Sequence, residues 1–384
     1  QIFTDVRGIY TADPRLVPKQ AHPVVVAAHA MTLQTLPFHD RQDFEDAARG
    51  FVDSLPDATV TAPSGRTVWS LAPYAFLKAD AAPPTVHPSL WRQAQLNMHH
   101  GLFKVVDGIY QVRGLDIANM TLIEGKTGLI VVDTLTSIEA ARAGLELYFK
   151  HRGHRPIAAV VYTHTHTDHW GGVRGVVSQA DVTAGRVPII APDLFMEHAV
   201  SENVIAGNAM LRRAQYQFGP LLAKGPQGHV DCGLGKTMTA GSVSLMAPTD
   251  LIKTTGETRV IDGVEIVFQM APETEAPAEM HLYLPAFKAL NLAENATHNF
   301  HNLLPFRGSM ARDAFAWAKY INEALDLWGA DAEVLLGQHH WPVWGNERVQ
   351  LHLRQQRDLY KSAHDQTIRL MNHGLTATEI AEQI

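Results

Sequence analysis

The sequence predicts a layered α/β fold, with sheets covered by helices. Three observations carry the prediction. Short β-rich runs follow one another from about Leu102, a helical segment then leads into a wholly apolar strand, and no apolar stretch approaches the ~18 residues of a membrane-spanning helix. With 384 residues, 46% of them hydrophobic and 18% charged, the chain can bury one large core or two ordinary ones.

Residues 1 to about 95 are rich in Pro and short of long periodic segments. They carry one predicted helix around Asp40 to Phe51 and turn chemistry at Ala62-Pro-Ser-Gly65, and read as an extended arm on a core. The β-rich runs that follow are Phe103–Val106, Ile109–Val112, Met120–Ile123 and Leu129–Val132. A helix from Ser137 to about Lys150 then leads to the apolar strand Ile157–Tyr162.

The stretch Glu197 to Gln217 is helical in composition. The Gly- and Pro-rich sequence after it, to Gly235, reads as a flap over a site. A further β segment, Val260 to Phe268, turns at Asp262-Gly263. Ser309 is expected to cap a helix running to about Trp328, with Arg312 in its first turn and Ala314, Ala318, Ile321, Leu325 and Trp328 on one apolar face. Thr376-Ala-Thr-Glu379 has capping-box spacing, yet the chain stops at Ile384, so a longer C-terminal region is expected. The start at Gln1, without Met, suggests a removed secretory segment and a periplasmic or secreted protein, with the cytoplasm still open.

A net charge of −7 and the lack of a Lys/Arg run disfavour a nucleic-acid partner. Cys232 is the single cysteine, so an internal disulfide and a Cys-rich zinc ribbon are excluded, leaving His and carboxylates as metal ligands.

Those residue types converge at Thr163-His-Thr-His-Thr-Asp-His169, directly after the apolar strand. Alternation projects His164 and His166 to one side. If the turn toward Gly171-Gly172 brings Asp168 and His169 beside them, the spacing suits two adjacent metals. Four residues cannot complete two coordination spheres. The remaining ligands are sought at later strand ends, among Glu273, Glu275, Glu279, Glu294 and His339-His340.

At this point the sequence resembles the alkylsulfatases of the metallo-β-lactamase superfamily, the type that hydrolyses dodecyl sulfate. The resemblance spans nearly the whole chain. It rests on His87-Pro-Ser-Leu-Trp-Arg-Gln-Ala-Gln-Leu-Asn97, Gly101-Leu-Phe103, Asp107-Gly-Ile-Tyr-Gln-Val-Arg113, the His run, Thr274-Glu-Ala-Pro-Ala-Glu279, Asn295-Ala-Thr-His298 and His339-His-Trp-Pro342.

The resemblance implies an αββα four-layer sandwich, with residues 1–95 as the N-terminal arm, 96–345 as the catalytic domain and 346–384 as the start of a helical dimerisation region. It implies two Zn²⁺ ions, one held by His164, His166 and Glu275, the other by Asp168, His169 and His339, with Glu294 bridging. Glu273, Glu279 and His340 would then revert to ordinary readings, the two Glu residues as exposed surface charges. Three carboxylates and one hydroxide would balance the two ions, so sulfate must be attracted from elsewhere. Arg307 and Arg312 are implied to bind it, since planar guanidinium donors suit a tetrahedral oxyanion. His301 resembles the residue proposed to protonate the leaving group, Asn302 is a further sulfate donor, and Tyr216 lines the pocket.

The expected substrate is thus a small amphiphilic alkyl sulfate, as in detergent degradation, cleaved by activated water to alcohol and sulfate with C–O cleavage. The expected assembly is a homodimer paired through the C-terminal region. The rival expectations are another hydrolase of this fold, acting on a lactone, thioester or β-lactam, and a metal-binding amphiphile carrier without catalysis.

Overall fold

The computed structural model describes residues 21–384, so the first part of the expected arm lies outside the described residues. The helices Pro23–Thr35 and Pro88–Leu96 were not foreseen in the arm. Each opens with Pro behind an unusual cap, where His22 or His87 accepts a backbone N–H through Nδ1. The helix expected around Asp40–Phe51 is shorter, Gln42–Ala48, because Phe51–Asp53 (β1) joins the first sheet. Thr59–Thr61 (β2) and Thr67–Ser70 (β3) pair around the turn in which Gly65 N–H donates to Ala62 O at 2.9 Å. Val60, Trp69, Tyr74, Leu77 and Trp91 form a buried cluster here, so this segment is more compact than an extended arm.

Two sheets form the body. The first sets β1 beside Gly101–Val106 (β4), Ile109–Arg113 (β5), Met120–Glu124 (β6), Leu129–Val132 (β7), Ile157–Val161 (β8), Ile189–Pro192 (β9) and Asp250–Ile252 (β10), in that order. The second contains Thr258–Ile261 (β11), Val264–Met270 (β12), Met280–Leu284 (β13), Ala289–Asn291 (β14), Val334–Leu336 (β15) and Val343–Trp344 (β16). The turn expected at Asp262-Gly263 joins β11 to β12 as an antiparallel hairpin.

Strand alternation sorts the side chains into layers. Ile130, Val132 and Val161 of the first sheet meet Ile266, Phe268, Met280 and Leu336 of the second in the central core. The outward residues Leu122, Leu129 and Val131 pack under the helix Ile138–Arg152, through Ala140, Leu145 and Tyr148. On the other side Leu290 and Leu335 pack under the helices Ala314–Trp328 and Asn346–Asn372. The order helix, sheet, sheet, helix is the αββα sandwich that the resemblance implied. Among the described residues no helix is long and apolar enough to cross a membrane.

Two expectations need correction. The helix placed after Ser309 begins at Ala314, because Asp313 is the cap, accepting from Phe315 N and Ala316 N at 2.8 and 3.1 Å. Arg312 therefore precedes the helix, and Ser309 Oγ donates instead to Glu202 at 2.7 Å. The long helix expected over Glu197–Gln217 is broken into Phe195–Val200, a π turn Ser201–Ile205, and Gly207–Phe218. The Gly- and Pro-rich stretch beyond it is tied down: Gly233 O accepts from His340 Nε2 at 2.8 Å and Asn299 Nδ2 at 3.2 Å, and Asp231 forms a buried 2.8 Å ion pair with Lys236.

Candidate metal centre

The parallel strands β7 and β8 end on the same side of the sandwich as β14 and β15, while β13 begins there. The loops at these ends carry every implied ligand. Thr163 to His169 follow β8, Glu275 and Glu279 precede β13, Glu294 follows β14, and His339 follows β15. Across the gap between the sheets, Met280 N donates to Thr163 O at 2.9 Å, and His164 faces Glu279 in an isolated bridge.

After His169 the chain runs close under the loop that leaves β7. A Cβ at Gly171 or Gly172 would collide with the carbonyl of Thr136 or Thr134, so the turn admits no side chain there. Asp133, Ala293 and His340 sit at φ of 57°, 50° and 63°, left-handed conformations without glycine next to strand ends that carry the cluster. Such strain persists only where surrounding bonds over-determine it, and it concentrates at functional sites.

Three rings of the cluster are oriented by a bond on their far side. His169 Nδ1 donates to Asp133 Oδ2 at 2.7 Å, and His339 Nδ1 donates to Ile117 O at 2.9 Å. His164 Nδ1 lies 3.0 Å from Thr163 Oγ1. The Nε2 atoms of these three rings then converge on Glu294 Oε2, at 3.3, 3.4 and 3.2 Å for His164, His169 and His339. His166 presents Nδ1, 2.7 Å from Glu275 Oε2, which is also 3.3 Å from His164 Nε2. Asp168 Oδ2 lies 3.3 and 3.6 Å from His169 and His339 Nε2.

This arrangement can be tested for a metal on its own atoms. The Nε2 atoms of His164, His169 and His339, and Glu275 Oε2, are buried without a hydrogen-bond partner. Buried polar atoms are rarely left so, and here the orphans face one another. His164, His166, Glu275 and Glu294 form one group whose ligand atoms lie within 4.8 Å of one another, and Asp168, His169 and His339 form another. Imidazole and carboxylate donors in such groups fit divalent metal ions. A third group includes Asp133, but its oxygens already accept from Thr163 N, Thr163 Oγ1, His169 Nδ1 and Gln338 Nε2 at 2.7 to 2.8 Å. Asp133 is thus a support for His169, in the manner of outer residues that fix a metal ligand's tautomer.

The electrostatics follow from burial and crowding. Burial and the neighbouring His169 lower the pKa of His164, which keeps the ring neutral as a ligand must be. Burial opposes the charge of Glu294, yet the surrounding His339 and His301 hold its carboxyl well below the usual range. Glu279 goes the other way. Burial and the Glu275 and Glu294 carboxylates push it well above the usual range. It receives Thr274 Oγ1 at 2.9 Å and Ala276 N at 3.0 Å, bracing the loop that carries Glu275.

The other expected residues lie as follows. Arg312 is 9% exposed; its Nη2 is bonded to Glu275 Oε1, and its Nη1 donates to Asn302 Oδ1 and His301 Nδ1, both at 2.7 Å. Because a guanidinium can only donate, His301 Nδ1 accepts, and its proton sits on Nε2, donating to Glu294 Oε1 at 2.7 Å. Arg307 donates from Nε and Nη2 to Glu202 Oε1 at 3.2 and 3.1 Å. Tyr216 is not brought to the cluster: it is 88% exposed on the helix Gly207–Phe218.

Sequence reasoning missed Asp133, Gln338, Glu202 and the part played by Glu279. The signal for Asp133 was present, an acid closing the apolar run of β7. Glu202 had none, being one polar residue in an amphipathic stretch.

Comparison with known proteins follows the same lines. The metallo-beta-lactamase superfamily model matches residues 113–339. The chain is 52% identical over 366 residues to an alkyl/aryl-sulfatase of Saccharomyces cerevisiae, covering 95% of this chain and 57% of that one. It is 53% identical over 367 residues to a linear primary-alkylsulfatase of Pseudomonas sp., covering 95% and 54%. A solved stereoselective inverting sec-alkylsulfatase from Pseudomonas sp. superposes with a TM-score of 0.93 at 50% identity, covering 95% of this chain and 58% of that one. The chain thus spans a little over half the length of the curated relatives it matches.

Proposed function

The chain belongs to the metallo-beta-lactamase superfamily, and within it we propose that the protein hydrolyses alkyl sulfate esters to an alcohol and inorganic sulfate. The observation that carries this reading is the buried guanidinium of Arg312 at the edge of the cluster, in a chain about half identical to alkylsulfatases over 95% of its length. Two Zn²⁺ ions are the proposed cofactors. His164 Nε2, His166 Nδ1 and Glu275 would hold one, Asp168, His169 and His339 the other, and Glu294 would be shared. When bound, they supply Lewis acidity that brings the pKa of water toward neutrality.

The remaining work falls to this chain. Arg312 and Arg307 would bind the sulfate group, with Asn302 orienting Arg312 through its 2.7 Å bond. His301 carries a proton on Nε2, unlike His164, His169 and His339, whose Nε2 atoms have no hydrogen-bond partner. With Nδ1 accepting from Arg312 the ring is neutral and cannot give up its Nε2 proton as an acid. To protonate the departing ester oxygen it would first take up a second proton on Nδ1, which lies 3.2 Å from Asn302 O. In the C–O version, the oxygen of water joins carbon, and the bond's electron pair leaves with the sulfate. Hydrolysis of dodecyl sulfate in heavy-oxygen water tests this: label is expected in the alcohol, and label in the sulfate would overturn C–O cleavage. Metal retention with no sulfate release across several chain lengths would favour a carrier.

The unit proposed to carry this activity is residues 96–345, with 1–95 packed on it and 346–384 beginning a region that pairs two copies. A monomer mass in sedimentation equilibrium would remove the pairing.

A further inference from the structure

Both guanidinium groups that a sulfate ester needs are already met by carboxylates of this chain, but in different ways. The carboxylate on Arg312 belongs to Glu275, whose other oxygen faces the cluster. The carboxylate on Arg307 comes from a distant segment, from Glu202 on the π turn Ser201–Ile205. Glu202 Oε1 accepts from Arg307 Nε at 3.2 Å, from Arg307 Nη2 at 3.1 Å and from Ser309 Oγ at 2.7 Å. Its Oε2 lies 3.8 Å from His166 Nε2. One carboxylate therefore reaches from Arg307 to a ligand imidazole.

Arg307 does not depend on Glu202 for its backbone position. Its N–H donates to Gln217 Oε1 at 2.7 Å, and Gly308 N closes the turn onto Pro305 O at 3.0 Å. Glu202, by contrast, sits where the helical ladder is interrupted, with Ala206 N bonded to Ser201 O. Single π turns of this kind recur at functional sites.

The geometry points to Glu202 as an internal anion that occupies the Arg307 guanidinium until a sulfate ester replaces it, so that Glu202 sets substrate affinity and selectivity. This rests on the reading that Arg307 receives the sulfate group. The exchange is non-covalent: Glu202 Oε1 gives up the guanidinium, and sulfate oxygens take its Nε–H and Nη2–H. A neutral lactone or amide carbonyl is a weak competitor for a guanidinium held by a carboxylate, whereas a sulfate monoester replaces one anion by another. Glu202 thereby discriminates against uncharged esters by what it makes them displace.

The test is calorimetric binding of inorganic sulfate to the metal-loaded chain. Glu202→Gln keeps an oxygen for Arg307 but removes the charge, and is expected to bind sulfate about tenfold tighter, the scale of the charge-assisted part of such a contact. KM for dodecyl sulfate should fall while kcat stays within about threefold. In an Arg307→Gln background the same change should add nothing. Unchanged or weaker sulfate binding in Glu202→Gln overturns the proposal, since Glu202 would then only hold Arg307 in place. If that variant does not fold, Ser309→Ala withdraws one donor from Glu202 and should tighten sulfate binding about twofold; a loss of affinity there is equally fatal. Turnover by the unaltered chain is read in parallel. Absent turnover with the affinity gain intact removes the sulfatase reading alone, and turnover without the gain removes the role of Glu202 alone.

Discussion

Replacing Asp133 by Asn should loosen the metal centre without touching a metal ligand. Asp133 is fully buried and accepts four bonds, from Thr163 N at 2.8 Å and from Thr163 Oγ1, His169 Nδ1 and Gln338 Nε2 at 2.7 Å each. An amide in its place has one acceptor oxygen. Turned to serve His169, Gln338 and the Thr163 hydroxyl, it sets its NH₂ against the Thr163 N–H, leaving two buried donors face to face. An unmet buried donor costs about 1–3 kcal/mol, and the three retained bonds lose their charge-assisted share. The expected loss of stability is about 3 kcal/mol. Freed from the carboxylate, His169 is less basic and less well aimed, and supports of this kind are worth about 10–100-fold in metal affinity. Competition with a chromophoric chelator should show that drop for one of two ions. Leu122→Ala, a fully buried truncation costing about 2–5 kcal/mol, provides the control for destabilisation alone. If Asp133→Asn folds and holds both metals as tightly as the parent, the assignment of Asp133 as the support of His169 is wrong.

Other outcomes follow from the same geometry. Burial and the Glu275 and Glu294 carboxylates disfavour a charge on Glu279, so Glu279→Gln should leave metal content intact and activity within about threefold, whereas Glu294→Gln should lose at least one ion by elemental analysis. Arg312→Lys cannot serve Glu275, His301 and Asn302 together, and kcat/KM for dodecyl sulfate should fall by at least about a hundredfold with stability reduced less than in Arg312→Ala. Burial holds His281 down to about 3, and burial, with like-charged neighbours, lowers His298 and His352 as well. These rings are neutral in the folded chain but take up protons when unfolded below about pH 6.5. Their contribution to stability is therefore complete above about pH 6.5 and is lost as pH falls toward 3, and denaturant midpoints should drop through that window. A midpoint that stays flat from pH 7 to 5 would show that these rings titrate normally.

Much of this molecule is written locally in its chain. The strands β4 to β8 show the right runs of β-branched and apolar residues, and Leu129–Val132 was bounded to the residue. The cluster His164, His166, Asp168 and His169 could be picked out because four candidate ligands fall within six residues after an apolar strand. Glu275, Glu294 and His339 were visible only as candidates beside Glu273, Glu279 and His340. Nothing in a lone acid after an apolar segment tells whether it turns toward a neighbouring sheet, and the family resemblance was needed to choose. The false start at Ser309 has a similar source. Ser and Asp are equally good caps, and Asp313 prevails because Ser309 is drawn to Glu202, 107 positions away.

By itself, then, the sequence determined the layered sandwich and the first half of a metal site, because strand periodicity and ligand clustering act over a few residues. The fold alone decided that Asp133 steadies His169, that Glu279 is pushed toward its neutral form, that Arg312 binds Glu275, and that Glu202 covers Arg307. Each of these depends on which charges and dipoles are buried together from distant parts of the chain. Burial strips away the water that would otherwise make such residues interchangeable.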